Sequence, residues 1–273
     1  MATTRRLTAV AAADFRIVDV FTASAYAGNP TCVVFPSKPL SEISEEWMAK
    51  VAAETNQPTT SFVDADAMAF KLYSSQGELP LLSGHSSLGI AAALMDLDDA
   101  KRLGKTVSVT LSSKYGDVSL YQRDGGLYEV AMPAGDGTVQ EAPKALITQA
   151  LHLDAGAILD SGITLGGKFC FAELSAETLA TLSPPDLAQI TALPSLGLYV
   201  TAAGMVTQHA GYTPQCVSGG SSAAASGVVA DFTVRNFVPK LGIDEDIATG
   251  SIQVALNQHW SAKLGKEASA PSA

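Results

Sequence analysis

At 273 residues, with 47% hydrophobic and 16% charged residues, the chain has enough apolar mass for a buried core and too little charge for a disordered one. A formal charge of −10 argues against nucleic acid and anionic membranes as partners, because both are bound by basic faces. No segment approaches the roughly 18 consecutive apolar residues of a membrane span. Three cysteines without CxxC spacing, Cys32, Cys170 and Cys216, point to reduced thiols and a cytoplasmic setting.

Residues 1–13 read as a flexible terminus, since the apolar patch after Arg5 and Arg6 is short and is cut by Asp14. "DFRIVDVF" alternates as a strand does, and "TCVVFP" is a second strand after a turn at Gly28-Asn29-Pro30. "LSEISEEWMAKVAAETN" predicts a helix with Ile43, Trp47 and Val51 on one face, its acidic start suited to the helix dipole and its end set by Pro58. "TSFVD" and "AFKLYS" are strands, followed by the loop "GELPLLSGH". "SGHSSLGIAAALM", Ser83 to Met95, then predicts a helix with no polar face, which belongs inside a protein. "VSVTLSS", "DVSLYQ" and "LYEVAMP" form a meander with turn chemistry at Asp124-Gly125-Gly126.

A boundary near Met132-Pro133 divides a first lobe, 14–132, from a second, 133–263. In the second, "PKALITQAL" and "SAETLATL" are helices, the latter capped by Ser175, and "KFCFAEL", "LGLYVTAAG" and "FTVRNFVP" are strands. "GIDEDIATGSIQVALNQHW" closes the lobe as a strand-to-helix junction with a buried helix over Ile252–Trp260. Residues 264–273 are a flexible tail.

Each lobe thus opens an apolar helix behind a glycine turn, at Gly84-His85 in one and Gly250-Ser251 in the other. Two such helix starts facing one cleft would hold a small anion by backbone N–H groups and dipole. His85 at a helix N-terminus should have a lowered pKa, leaving a neutral imidazole as a base. Cofactor motifs are missing: there is no GxxxxGKS/T or GxGxxG, and "SGGSSAAASG", Ser218 to Gly227, reads as a mobile surface loop. His85, His152, His209 and His259 show no HxH or HxxxH pairing, so no sequence-local metal site is expected.

"DVFTASAYAGNPTCVVF", "GELPLLSGHSSLG" and "RNFVPKLGIDEDIATGS" together resemble the phenazine-biosynthesis isomerase family, PhzF-like proteins, from about Asp14 to Trp260. The resemblance implies an α/β (α+β) fold shared with diaminopimelate epimerase: two pseudo-symmetric lobes, each a curved mixed sheet around a central buried helix, with the active site between them. It implies cofactor-independent proton transfer on a small carboxylate- or carbonyl-bearing metabolite, as in the isomerisation of dihydro-hydroxyanthranilate. The expected assembly is a homodimer. His85 and Asp246 match the family's catalytic positions, while Thr59, Gly84, Ser86, Gly250 and Ser251 fall where substrate would be bound.

One departure bears on the chemistry. The family's proton-moving glutamate lies in a segment like "N-x-x-E-T-x-F"; here "NQPTTSF" puts Thr59 in its place. A threonine hydroxyl cannot hold a proton reversibly near neutral pH. Glu78 is the nearest remaining carboxylate in sequence to His85 and is the substitute acid considered first outside the motif. Ile247 replaces the usual proline after Asp246, and the loop before His85 is one residue longer than usual. Ser83 and Ser251 occupy the positions where epimerase relatives carry cysteines, which excludes a two-thiol racemase. Three functions remain: an isomerase, or a related lyase or cyclase, with an altered site; a small-molecule-binding protein that has lost turnover; and an interaction scaffold.

Overall fold

The computed structural model describes residues 13–22, 26–95, 108–123, 127–133, 138–204, 231–246 and 249–265. The turn at 124–126, the Ser218–Gly227 loop, Ile247 and most of the two expected flexible termini lie outside these residues.

Eight strands form the first sheet: β1 (Ala13–Val20), β2 (Asn29–Pro36), β3 (Thr60–Asp64), β4 (Ala69–Ser74), β5 (Gly77–Glu78), β6 (Ser108–Ser113), β7 (Gly116–Arg123) and β8 (Leu127–Ala131). They run in the order β1-β2-β3-β4-β6-β7-β8, with β5 paired to β4. Helix α2 (Gly84–Met95) touches β1, β2 and β3 and also β7 and β8. Contact with both ends of the strand order means the sheet curls around the helix. Every residue of α2 except Ala92 is buried, as its lack of a polar face requires. Ile90, Leu94 and Met95 each contribute about 1.5–3 kcal/mol by leaving water. Gly89 allows the close approach of β2: a Cβ there would lie 2.2 Å from the Thr31 methyl.

Helix α1 (Glu45–Thr55) covers the other face of this sheet, setting Met48 and Ala52 against Cys32, Val34, Phe62 and Tyr73. The expected stripe of Ile43, Trp47 and Val51 is displaced by about one residue. Ser44 caps the helix, its Oγ accepting from the Trp47 N–H at 3.2 Å, and leaves Ile43 outside it as the cap of a separate 3-10 turn. That reset of phase moves Trp47 and Val51 to the half-buried flank.

The second sheet has the order β13-β12-β11-β10-β9, with β9 (Asp160–Thr164), β10 (Phe169–Glu173), β11 (Gly197–Ala203), β12 (Phe232–Val238) and β13 (Ile243–Asp246). Strand β10 shows the period-2 rule plainly. Cys170 and Ala172 face α3 (Lys144–Leu151), α4 (Ala176–Ala180) and α5 (Leu187–Ala192), while Phe169 and Phe171 face α6 (Gln253–Leu264). Strand β9 and helix α5 have no counterpart in the sequence-based expectation, while β13 is the strand of the expected strand-to-helix junction.

Pairing reveals an internal repeat. β1–β2, β2–β3 and β3–β4 are antiparallel, parallel and antiparallel. β9–β10, β10–β11 and β11–β12 follow the same pattern. Each set has its helical crossover inside the parallel pair, then a short extra strand and a helix, α2 or α6. The fold is α+β with two related lobes.

The two central helices are not equally enclosed, which corrects the expectation for Ile252–Trp260. Within α6 only Ala255, Leu256 and Trp260 are buried, and the helix continues a further turn to Leu264. Among the described residues nothing in the second sheet corresponds to β6–β8, so that sheet covers one flank of α6 and leaves Gln258 and Lys263 exposed.

Candidate active site

The two glycine turns meet. A Cβ on Gly250 would lie 2.6 Å from the His85 backbone nitrogen and 2.7 Å from Gly84, and one on Gly84 would lie 3.0 Å from Gly250. Only glycine permits this backbone-to-backbone seam. The structure therefore brings Gly84, His85 and Gly250 together at the start of α2.

Ser83 organises that start. Its Oγ accepts from the Ser86 N–H at 3.2 Å and from the Ser86 hydroxyl at 2.9 Å. The Ser83 carbonyl accepts from the Ser87 hydroxyl at 2.8 Å. This is N-cap geometry, Ser83 satisfying an N–H that the helix itself cannot. The polar groups of Ser86, one of the expected substrate contacts, are thus engaged within the cap.

His85 is buried, and its Nε2 lies 2.9 Å from the Asn29 carbonyl. A carbonyl only accepts, so this bond requires the proton on Nε2 and leaves Nδ1 with the lone pair. Burial holds the imidazole below its ordinary pKa of 6.5; the Asp246 charge and the bond to the Asn29 carbonyl oppose that shift without overcoming it. Phe21 stacks on the ring with centroids 6.1 Å apart. The Phe21 backbone is left-handed, φ 61°, a conformation that costs a non-glycine residue about 1–3 kcal/mol.

Asn29 links the lobes. Its side-chain Nδ2 donates to Asp246 Oδ1 at 3.2 Å while its carbonyl holds His85. Asp246 Oδ2 accepts from the Thr249 hydroxyl at 2.5 Å, and Thr249 in turn accepts from Asn236 Nδ2 at 2.9 Å. His85 and Asp246, far apart in sequence, thus sit at the two ends of one polar chain. The sequence places Asn29 in a turn; the structure makes it the buried first residue of β2. The signal was present in the residue type, because asparagine is depleted from strands unless a partner holds it.

Ser251 lies a short way along the seam, on the wall of a cavity of about 240 Å³ between the lobes. Thr59 is buried at the foot of β3, where its carbonyl accepts from the Cys32 N–H and the Thr31 hydroxyl, each at 3.0 Å. Glu78 pairs with Lys114 at 2.7 Å, so its charge is already matched. Elsewhere, Asp160, Glu173 and His259 hold their ligand atoms within 4.8 Å of one another. The Lys263 ammonium sits on Glu173 and 3.2 Å from Asp160, supplying the cation that ties α6 to β9 and β10. Cys32 and Cys170 are buried free thiols, and burial raises the pKa of both.

Two repeated α/β lobes that meet at paired helix starts, with a buried histidine and a carboxylate joined across the seam, define a two-lobed cleft protein. The chain belongs to the phenazine biosynthesis-like protein family (PhzC-PhzF), which it matches over residues 18–272. A Vibrio cholerae protein named an uncharacterized isomerase is 30% identical over 257 residues, covering 92% of this chain and 76% of the relative. The human phenazine biosynthesis-like domain-containing protein is 29% identical over 270 residues, covering 92% and 84%. A crystal structure of a PhzF-family phenazine biosynthesis protein from Enterococcus faecalis has the same fold, with a TM-score of 0.64 at 23% identity over 94% of this chain and 85% of that one.

Proposed function

We propose that this protein is a cofactor-independent isomerase-type enzyme that moves a proton on a small anionic metabolite bound at the inter-lobe seam. The observation that carries the reading is His85: a buried imidazole, kept neutral by burial, at a helix N-terminus and coupled through Asn29 to Asp246. The isomerase name of the Vibrio cholerae relative supports the reaction class. In this scheme the substrate's anionic group lies at the seam between the two helix starts, where the helix dipoles favour negative charge. Neutral His85 takes the proton at Nδ1, and the charge that develops on the ring is stabilised by the Asp246 carboxylate. Asp246 accepts hydrogen bonds from Asn29 and Thr249, and Asn29 fixes the tautomer.

A second reading, a binding protein without turnover, is favoured by Thr59, whose hydroxyl cannot shuttle a proton. Proton exchange separates the two. A panel of small unsaturated carboxylates, dihydro-hydroxyanthranilate among them, is incubated with the protein in D2O and followed by proton NMR. The enzyme reading expects protein-dependent loss of a C–H signal from at least one member, abolished in His85→Ala. Dihydro-hydroxyanthranilate itself should turn over slowly with wild type and faster with Thr59→Glu. Binding without exchange anywhere in the panel supports the second reading. Rapid isomerisation of dihydro-hydroxyanthranilate by wild type would show that another acid replaces the glutamate.

A further inference from the structure

The cavity beside Ser251 has a charge asymmetry that proton transfer at His85 does not use. Leu81, Leu82 and Met132 wall it from the first lobe, and Leu165, Phe169 and Val254 from the second; Tyr115, Lys168 and Ser251 supply its polar groups. The Tyr115 hydroxyl donates to the Leu79 carbonyl, so Tyr115 offers the cavity mainly a ring. Two ammonium groups approach that ring, Lys114 at 5.0 Å and Lys168 at 5.6 Å from its centroid. Lys114 is matched by Glu78. Among the described residues no carboxylate lies within ion-pair distance of Lys168.

The backbone holds Lys168 in place. Leu165, Gly166 and Gly167 form a run of left-handed residues, φ 54°, 64° and 88°, which turns β9 into β10. The turn closes where the Lys168 N–H donates to the Thr164 carbonyl at 3.1 Å, and the Lys168 carbonyl accepts from the Leu196 N–H at 2.8 Å. The half-buried side chain thus starts from a fixed point on the cavity wall. A cation over apolar walls, in a chain whose formal charge is −10, is what admits an anion to this place. Size narrows the occupant further. A cavity of roughly 150 Å³ takes benzene, so the 240 Å³ here suits a single ring with a short substituent.

We propose that Lys168 sets the substrate class of this site: a ring-sized apolar acid whose anionic group pairs with the Lys168 ammonium. The inference rests on the reading of the seam as a substrate site, but it requires no proton to move. It is tested with the full-length protein by calorimetric titration of benzoate, its neutral isostere benzamide and the cation benzylamine. Wild type should bind benzoate about tenfold or more tightly than benzamide, a difference of the size one paired charge supplies, with benzylamine weakest. Lys168→Met, checked for an unchanged melting temperature, should lose the preference, and Lys168→Arg should keep most of it. Equal binding of benzoate and benzamide by wild type, a preference that survives in Lys168→Met, or binding of neither probe would overturn the inference. If the acid preference is present while the D2O panel shows no exchange, the proton-transfer reading fails and Lys168 keeps its role. Exchange without the preference removes only Lys168.

Discussion

The two helix starts use the same glycine turn but stand in different surroundings. Around α2 the sheet closes through β6–β8, and the first turn is dry: His85 is 4% exposed and Ser86 and Ser87 are fully covered. Around α6 the sheet covers one flank, and Ser251 opens onto the inter-lobe cavity with Lys168 nearby. The closed side can therefore hold a group whose pKa depends on dryness, while the open side can receive a ligand. Under the proposed function, the two copies of the repeat take a reactive and a receiving role, and among the described residues they differ in the number of strands beside their helices.

The largest expected effect lies on the closed side. His85→Ala should lower the rate by about 10²–10⁴, the range for a lost general acid or base. Ser251→Ala, on the open side, should cost only about 0.5–1.5 kcal/mol of binding, one hydrogen bond's worth. Steady-state kinetics that gave the two variants equal losses would remove the division of labour.

Next comes the seam itself. Gly250→Ala forces a Cβ to within 2.6 Å of the His85 nitrogen, and Gly84→Ala meets Gly250 at 3.0 Å. Overpacking of this kind costs about 1–3 kcal/mol, and Gly250→Ala should be the worse of the two. Gly156, with nothing within 4 Å of an added Cβ, is the control and should tolerate alanine. Chemical denaturation that ranked Gly156→Ala with the seam variants would contradict the close contact of the helix starts.

A smaller effect follows from pH. Because the folded state holds His85 below its ordinary pKa of 6.5, the unfolded chain binds the proton first as pH falls. The buried neutral ring thus contributes its full stability above about pH 6.5, and that contribution declines below it. Melting temperatures of wild type should drop more steeply from pH 7 to pH 5 than those of His85→Gln. Parallel curves would mean that the ring titrates normally.

Much of this was legible in the residues. The all-apolar stretch after Ser83 could only be a buried helix, and the paired glycine turns marked the seam. What stayed hidden depends on distance or on neighbours. The exposure of α6 reflects how few of the described strands lie beside it, which its own sequence does not record. The phase of α1 turned on whether Ser44 or an earlier residue capped it. Asn29 reaches His85 and Asp246 across 56 and 217 positions, so no local pattern could connect them. Lys168 and Tyr115 come from turns of different lobes and meet only in the folded chain.

The central claim is that the seam holds a neutral imidazole with its proton on Nε2, and long-range proton–nitrogen NMR of ¹⁵N-histidine-labelled protein reads that state directly. Comparison of wild type with His85→Gln assigns the His85 signals among those of the four histidines. The account predicts a neutral ring at pH 7, protonated at Nε2 and bare at Nδ1, with a midpoint below 6.5. A charged ring at pH 7, or a neutral one carrying its proton on Nδ1, would contradict it.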